Sequence, residues 1–173
     1  MKLLTTLDSS KCEEWLYDNA KITHPRISDP EILGENLREA DKQEIRAVIG
    51  DTLSYAQALE VCAVTSDPCY VVRSLVSEEP LAIYGVCPQV EGGEVWFLGS
   101  DELFKTNKMS FLRNSKFWVE KLFDGYDLLY NVVDARNVLH IRWLKWLGFT
   151  FIEDIPEYGV EKRKFKQFYK RKQ

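Results

Sequence analysis

The sequence predicts one mixed α+β domain over residues 1–173, with a central, mostly antiparallel sheet and helices on both faces. Three observations carry that prediction. Residues 69–98 hold three short β-rich runs separated by Ser77-Glu78-Glu79 and Glu91-Gly92-Gly93, the pattern of an antiparallel meander. Phe111, Leu112, Ser115, Trp118, Val119, Leu122 and Phe123 then recur at helical spacing. Finally, Leu128 to Ile152 passes from an apolar strand through a polar turn into a helix that stops at Gly148, and a second strand-like run follows.

Each element has a local reason. Residues 1–8 read as a short strand, and Ser9 or Ser10 can cap a helix through Glu13, Trp15, Leu16 and Tyr17. Thr23-His24-Pro25-Arg26 reads as loop. Ile45, Val48 and Ile49 form the apolar stripe of a helix that includes Arg38-x-x-Asp41-x-x-Glu44 and ends at Gly50. A second helix starts at Asp51 or Thr52, sets Leu53, Ala56, Leu59 and Ala63 on one side, and stops before Asp67-Pro68. Strands follow over Cys69–Val76, Pro80–Pro88 and Glu94–Leu98. Gly99 to Asn107 reads as a polar loop with room for one helical turn, and Asn107 as the cap of the long helix that Gly125 ends. Lys162 to Tyr169 closes the sheet. Counting the longer elements, the order is β-α-α-β-β-β-α-β-α-β-β.

Composition narrows the function classes. With 45% hydrophobic and 29% charged residues, the 173-residue chain has ample material for a core. No apolar run nears the roughly 20 residues of a membrane span. Met1-Lys2-Leu3-Leu4 gives way at once to Thr5, Thr6 and Asp8, so no signal peptide is expected. The four cysteines form no CxxC pair and read as reduced structural thiols. With only His24 and His140, and no acidic residues at calcium-loop spacing, no metal site is expected. Net charge is −4, yet Glu161 to Gln173 holds seven basic residues against one acid. Such a tail can bind nucleic acid or an acidic partner. It can equally be a final strand with a basic solvent face, which Phe165, Phe168 and Tyr169 favour.

The turn Asp134-Ala135-Arg136-Asn137 lies at a strand-to-helix junction, where side chains and amides converge on one crevice. Asn131, Asp134, Arg136, Asn137 and Arg142 form a polar cluster there, with Trp96 and Arg113 expected nearby across the sheet. Asp134 can cap the turn, held by Arg136 or Arg142. As a site, the cluster suits a small anionic or amide-bearing molecule.

This element order, with Asn137 and Gly148-Phe149, resembles the acyl-CoA N-acyltransferase (GNAT) domain over essentially the whole chain. The resemblance implies acetyl-CoA or another acyl-CoA as cofactor, held by Phe97, Leu98, Gly99, Lys105, Lys108 and Asn137. Two of the family's catalytic parts are altered. Its pyrophosphate loop, Arg/Gln-x-x-Gly-x-Gly/Ala, is replaced by Gly99-Ser100-Asp101-Glu102-Leu103, with acids near the anion's place. Its tyrosine acid aligns with Leu144, which has no proton to donate. His140, one turn away, is the candidate acid or a structural residue. Glu44, with Asp41 on the same helix face, is the candidate base or an ion-pair partner for Arg38 or Arg113.

A closer resemblance runs through Arg38-x-x-Asp41-x-x-Glu44-Ile45, Gly50, Ala58-Leu59, Gly85-Val86 and Val95-Trp96-Phe97-Leu98-Gly99. It continues through Phe111-Leu112-Arg113-Asn114-Ser115, Asn131 to Asn137, Ile141-Arg142-Trp143-Leu144 and Gly148-Phe149. These segments, over about 110 residues, resemble the internal virion protein A family of short-tailed phages. That resemblance implies a phage protein made in the host cytoplasm, either packaged in the virion or needed for it. Phage or host proteins are the implied partners, and the acyltransferase-like apparatus is degenerate. The alternatives are an acetyl-CoA-dependent N-acyltransferase with a non-standard cofactor loop, and a nucleic-acid-associated module using residues 161–173. A splay between the strands at Trp96 and Asn131, opening on a cleft, favours the enzyme. A cleft filled by Trp96, Trp143 or Trp146 favours degeneracy.

Overall fold

A computed structural model describes residues 15–17 and 19–173. Strands β1 (Trp15–Tyr17) and β2 (Ala20–Thr23) lead into helices α1 (Asp29–Asn36), α2 (Glu39–Ile49) and α3 (Tyr55–Thr65). The meander β3 (Cys69–Ser74), β4 (Pro80–Gln89) and β5 (Gly92–Gly99) follows, then α4 (Asp101–Thr106) and α5 (Lys108–Leu122). The chain closes with β6 (Leu128–Asp134), α6 (Val138–Trp146), β7 (Thr150–Tyr158) and β8 (Arg163–Arg171). The eight strands of the described residues share one sheet in the order β1-β2-β3-β4-β5-β6-β8-β7. Every neighbouring pair is antiparallel except β5 and β6, which the crossover through α4 and α5 makes parallel.

Helices cover both faces, as the alternation of the strands requires. Trp96 and Leu98 of β5 pack with Leu33, Leu37, Leu59 and Ile83 on the α1–α3 face. Val95 and Phe97 pack into the larger core with Phe111, Trp118, Leu144 and Phe168 on the α5–α6 face. Arg73 of β3 is fully buried, and its guanidinium donates to both Asp29 carboxylate oxygens at 2.9 and 2.6 Å. This fork-to-fork pair fastens the start of α1 to the sheet. At the far end, the β7–β8 turn docks on α2, with Val160 and Glu161 N–H groups donating to Val48 and Ala47 carbonyls at 3.2 Å. Those carbonyls belong to the last turn of α2 and lack intrahelical donors, so the turn caps the helix from outside.

Several expected elements differ. The strand expected over residues 1–8 lies outside the described residues. Trp15–Tyr17, expected to end a helix, form β1, because they pair with Ala20–Ile22 in a tight hairpin. Thr23, expected in a loop, pairs with Val71. A helix not foreseen, α1, starts at Asp29-Pro30, where proline suits the first turn. The next helix boundary falls later than Asp51 or Thr52, because Ser54 and Gln57 make a capping box at the start of α3. The segment after Gly99 is largely helix α4 rather than loop. Asn107 stands at the α5 N-cap without a side-chain capping bond.

Candidate functional site

Strands β5 and β6 pair only at Gly93–Leu129 and Glu94–Tyr130, then part. Asn131 is the wedge. A continued parallel ladder would bond the Val132 N–H to the Val95 carbonyl. Instead the Asn131 side chain enters between them, accepting from Val132 N–H at 2.7 Å and donating to Val95 O at 2.8 Å. The strands beyond it enclose a cavity of about 120 Å³ lined from both sides of the sheet, by Glu44 and Cys62 on one and by His140 and Trp143 on the other.

Side chains of the protein satisfy much of the exposed strand edge. The Asp41 carboxylate accepts from the Gly99 N–H at 2.9 Å, and the Arg38 N–H donates to the Gly99 carbonyl at 3.0 Å. Across the gap, the Glu44 carboxylate accepts from the Asp134 N–H at 3.3 Å and from the Asn137 amide at 3.5 Å. Val95 and Gly99 both turn their polar groups toward the gap. Alternation therefore aims the Phe97 backbone the same way.

The carboxylates have distinct environments. Asp41 is 1% exposed and receives the Arg38 guanidinium at 3.1 and 2.5 Å. Burial pushes its carboxyl above the usual range, against the pull of Arg38 and the Gly99 bond. Burial and the neighbouring Asp41 charge raise Glu44 to about 7, so it changes protonation near neutrality. Burial also raises Asp134, but bonds from the Arg136 backbone and guanidinium more than offset this and hold it low. For His140, burial and the Arg38 charge push the imidazole down to about 3. Its Nδ1 is buried without a hydrogen-bond partner among the described residues. A neutral ring of this kind carries no imidazolium proton for a departing thiolate. Leu144 is 4% exposed in the core.

The residues expected in one polar cluster divide into three places. Asn131, Asp134, Arg136 and Asn137 meet at the gap. Arg136 holds Asp134, while Arg142 is exposed elsewhere. Trp96 points to the α1–α3 face and donates to Ser66 Oγ at 2.7 Å. Arg113 lies on the α5–α6 side, so strand alternation separates it from Trp96. There, Arg113 and Arg142 join Lys105, Lys108, Arg38 and Trp146 along a groove of about 720 Å³. Trp143 forms the floor between groove and gap, packed on Phe97 with centroids 5.2 Å apart and donating to Ser115 Oγ at 3.2 Å. Trp143, one of three tryptophans expected as candidates to fill the cleft, lines both the gap and the groove, whereas Trp96 lines the gap alone and Trp146 the groove alone. Among the described residues no three His, Cys, Asp or Glu converge as a metal site. No helix of the described residues is long and apolar enough to cross a membrane.

A parallel pair that splays within an otherwise antiparallel sheet, flanked by helices on both faces, defines the acyl-CoA N-acyltransferase fold. Solved structures agree. A GNAT-family acetyltransferase from Bacillus anthracis superposes with TM-score 0.66 at 9% identity, over 92% of this chain and 98% of that one. Ribosomal-protein-S5-alanine acetyltransferase from Vibrio fischeri gives 0.62 at 12% identity, over 92% and 96%. A probable GNAT-family acetyltransferase from Chromobacterium violaceum gives 0.66 at 12% identity, over 99% and 96%. At these identities the likeness is one of fold. Residues 70–156, half of the chain, match the family described as bacteriophage T7, probable scaffold protein Gp13, and the chain belongs to that family. The "probable scaffold protein gp13" of Escherichia phage T7 is 35% identical over 83 residues, covering 46% of this chain and 57% of that protein. The chain thus matches little more than half of that relative's length.

The basic C-terminal segment is a strand with four of its seven cations in ion pairs. Arg163 pairs with Glu161, Lys164 and Lys166 with Asp154, and Lys170 with Glu120. This corresponds to the final-strand reading of the tail and lends no support to nucleic-acid binding through it.

Proposed function

We propose that this protein acts by docking other phage proteins, in virion assembly or as an internal virion component, on an acyltransferase scaffold that no longer catalyses. The carrying observation is that Asn131, Asp41 and Glu44 occupy the strand edges along the gap. A bound amide-bearing cofactor would compete with them for those backbone groups. The buried Leu144, the neutral His140 and the acids Asp101 and Glu102 opening α4 act in the same direction. The scaffold description of the family supports assembly as the setting, and the internal virion protein A resemblance supports packaging.

The test has two arms. The chain should co-sediment with procapsids or virions from infected cells. Millimolar acetyl-CoA should leave its melting temperature unchanged. A site with Kd near 10 μM would be stabilised by about 2.7 kcal/mol at a hundredfold excess, a rise of several degrees.

Acyl-CoA-dependent N-acyltransfer is a second reading, favoured by one observation. The gap passes through the sheet from Glu44, a group near pKa 7, to His140 and Trp143, and the Phe97 backbone faces it. Saturable melting shifts with acetyl-CoA would replace the docking reading with this one.

A further inference from the structure

We propose that the groove between α5 and α6 binds an acidic amphipathic helix of a partner protein, which rests on the docking reading and names the surface that performs it. Its rim is unusually apolar for solvent-facing helices: Met109 is 65%, Leu139 73% and Trp146 46% exposed. Exposed apolar groups gathered at one concave surface mark interaction sites. Among the described residues, Lys105, Lys108 and Arg142 have no ion-pair partner, and all three are exposed around the groove. Arg113 and the Asp41-paired Arg38 add to the positive field, and among the described residues Asp101 is the only acid lining it. On β8, by contrast, Arg163, Lys164, Lys166 and Lys170 are matched by acids. The groove therefore joins an aromatic and aliphatic floor to unmatched cations, the complement of a helix with one apolar stripe flanked by Glu or Asp.

Secondary structure favours a helix over an extended occupant. The groove walls are α4, α5 and α6, whose backbone groups are bonded along each helix. Trp143 packs over Phe97 and separates the groove from the β5 edge, so an extended peptide in the groove has no strand to pair with, whereas a helix brings its own hydrogen bonds. Nucleic acid is disfavoured because Met109 and Leu139 offer aliphatic rather than stacking contacts, and the paired β8 strand provides no continuing basic track. All the groove residues except Arg38 lie within residues 70–156, the segment shared with the phage family.

The probe is a labelled synthetic helix of about five turns, with Leu and Trp at i, i+3, i+4 and i+7 and Glu on both flanks. Its control keeps the apolar stripe and replaces every Glu with Lys. Fluorescence anisotropy with the full chain should show the acidic peptide binding at least tenfold more tightly than the basic one. A Lys105→Glu/Lys108→Glu/Arg142→Glu variant should lose at least tenfold, and Leu139→Asp should weaken binding with an unchanged melting temperature. Equal binding of both peptides, or no effect of the triple variant, overturns the proposal. Tighter binding of single-stranded RNA than of peptide, or displacement of peptide by acetyl-CoA, overturns it too. Peptide binding without co-sedimentation supports the groove and overturns the assembly reading. Co-sedimentation that the triple variant leaves intact overturns the groove and leaves the assembly reading standing.

Discussion

Replacing Asp41 with alanine tests how the wall of the gap is held. The carboxylate is 1% exposed and accepts three hydrogen bonds, two from Arg38 and one from the Gly99 N–H. The Arg38 side chain is itself only 12% exposed, so it cannot turn fully into water once its partner is gone. Stranding one member of a buried pair costs about 3–5 kcal/mol. For a chain of this size each kcal/mol moves the midpoint by roughly 2–4 °C, so Asp41→Ala should melt roughly 6–20 °C lower. Circular dichroism melts at pH 7.5 measure this directly. An Arg38→Met/Asp41→Leu variant should recover at least half of the loss, because neither charge is then left buried alone. A drop under about 3 °C, or a double variant as damaged as the sum of the single changes, would refute the reasoning.

Other expectations follow from the same geometry. Glu44 is raised from 4.5 to about 7, so the stability it contributes is fully present below pH 4.5 and gone above about 7. The shift sets an upper bound of about 3 kcal/mol, and urea midpoints from pH 4.5 to 8 should flatten in Glu44→Gln relative to the parent. His140 is depressed, so its contribution has the opposite sign and is lost as pH falls from 6.5 toward 3. Its ring NMR signals should stay those of the neutral form down to about pH 4, and a midpoint near 6.5 would contradict its burial. Gly159 has φ +68°, and a Cβ there would lie 2.2 Å from the Ala47 carbonyl oxygen. Gly159→Ala should cost more than about 2 kcal/mol and abolish hydrogen-exchange protection at the Val160 and Glu161 amides.

What the sequence revealed depended on the range of the signal. Periodicity found the meander, the long helix and the strand-turn-helix at Asn131–Leu147, because those patterns are written in neighbouring residues. The spacing of Asp41 and Glu44 placed both on one helix face, and both reach the gap. The wedge at Asn131 was not legible, since its role exists only once β6 is set against Val95 in register. Trp96 and Arg113 were expected near the polar cluster, across the sheet from it, but alternation along β5 sends Trp96 to the α1–α3 face while Arg113 lies on the other. The basic tail looked unmatched in one dimension. Its acids arrive through the hairpin register that sets Asp154 opposite Lys166, and from Glu120 fifty residues earlier.

The capping of α2 by the β7–β8 turn has a consequence for the order of events during synthesis. Strands β2 to β5 and helices α1 to α3 lie within residues 20–99, and their sheet pairings are all between consecutive strands. That half can organise on the ribosome as it emerges. Within the sheet the two halves pair at only two positions, and the C-terminal turn of α2, the helix whose first half carries Asp41 and Glu44, is not capped until Val160 and Glu161 have left the exit tunnel. The gap, lined by β6, α6 and Phe168 of β8, takes shape only in the second half of that sequence of events. Termination before β8 would leave β6 without its antiparallel partner and the gap without Phe168, so the wall that carries Asn131 gains its support only when that strand arrives.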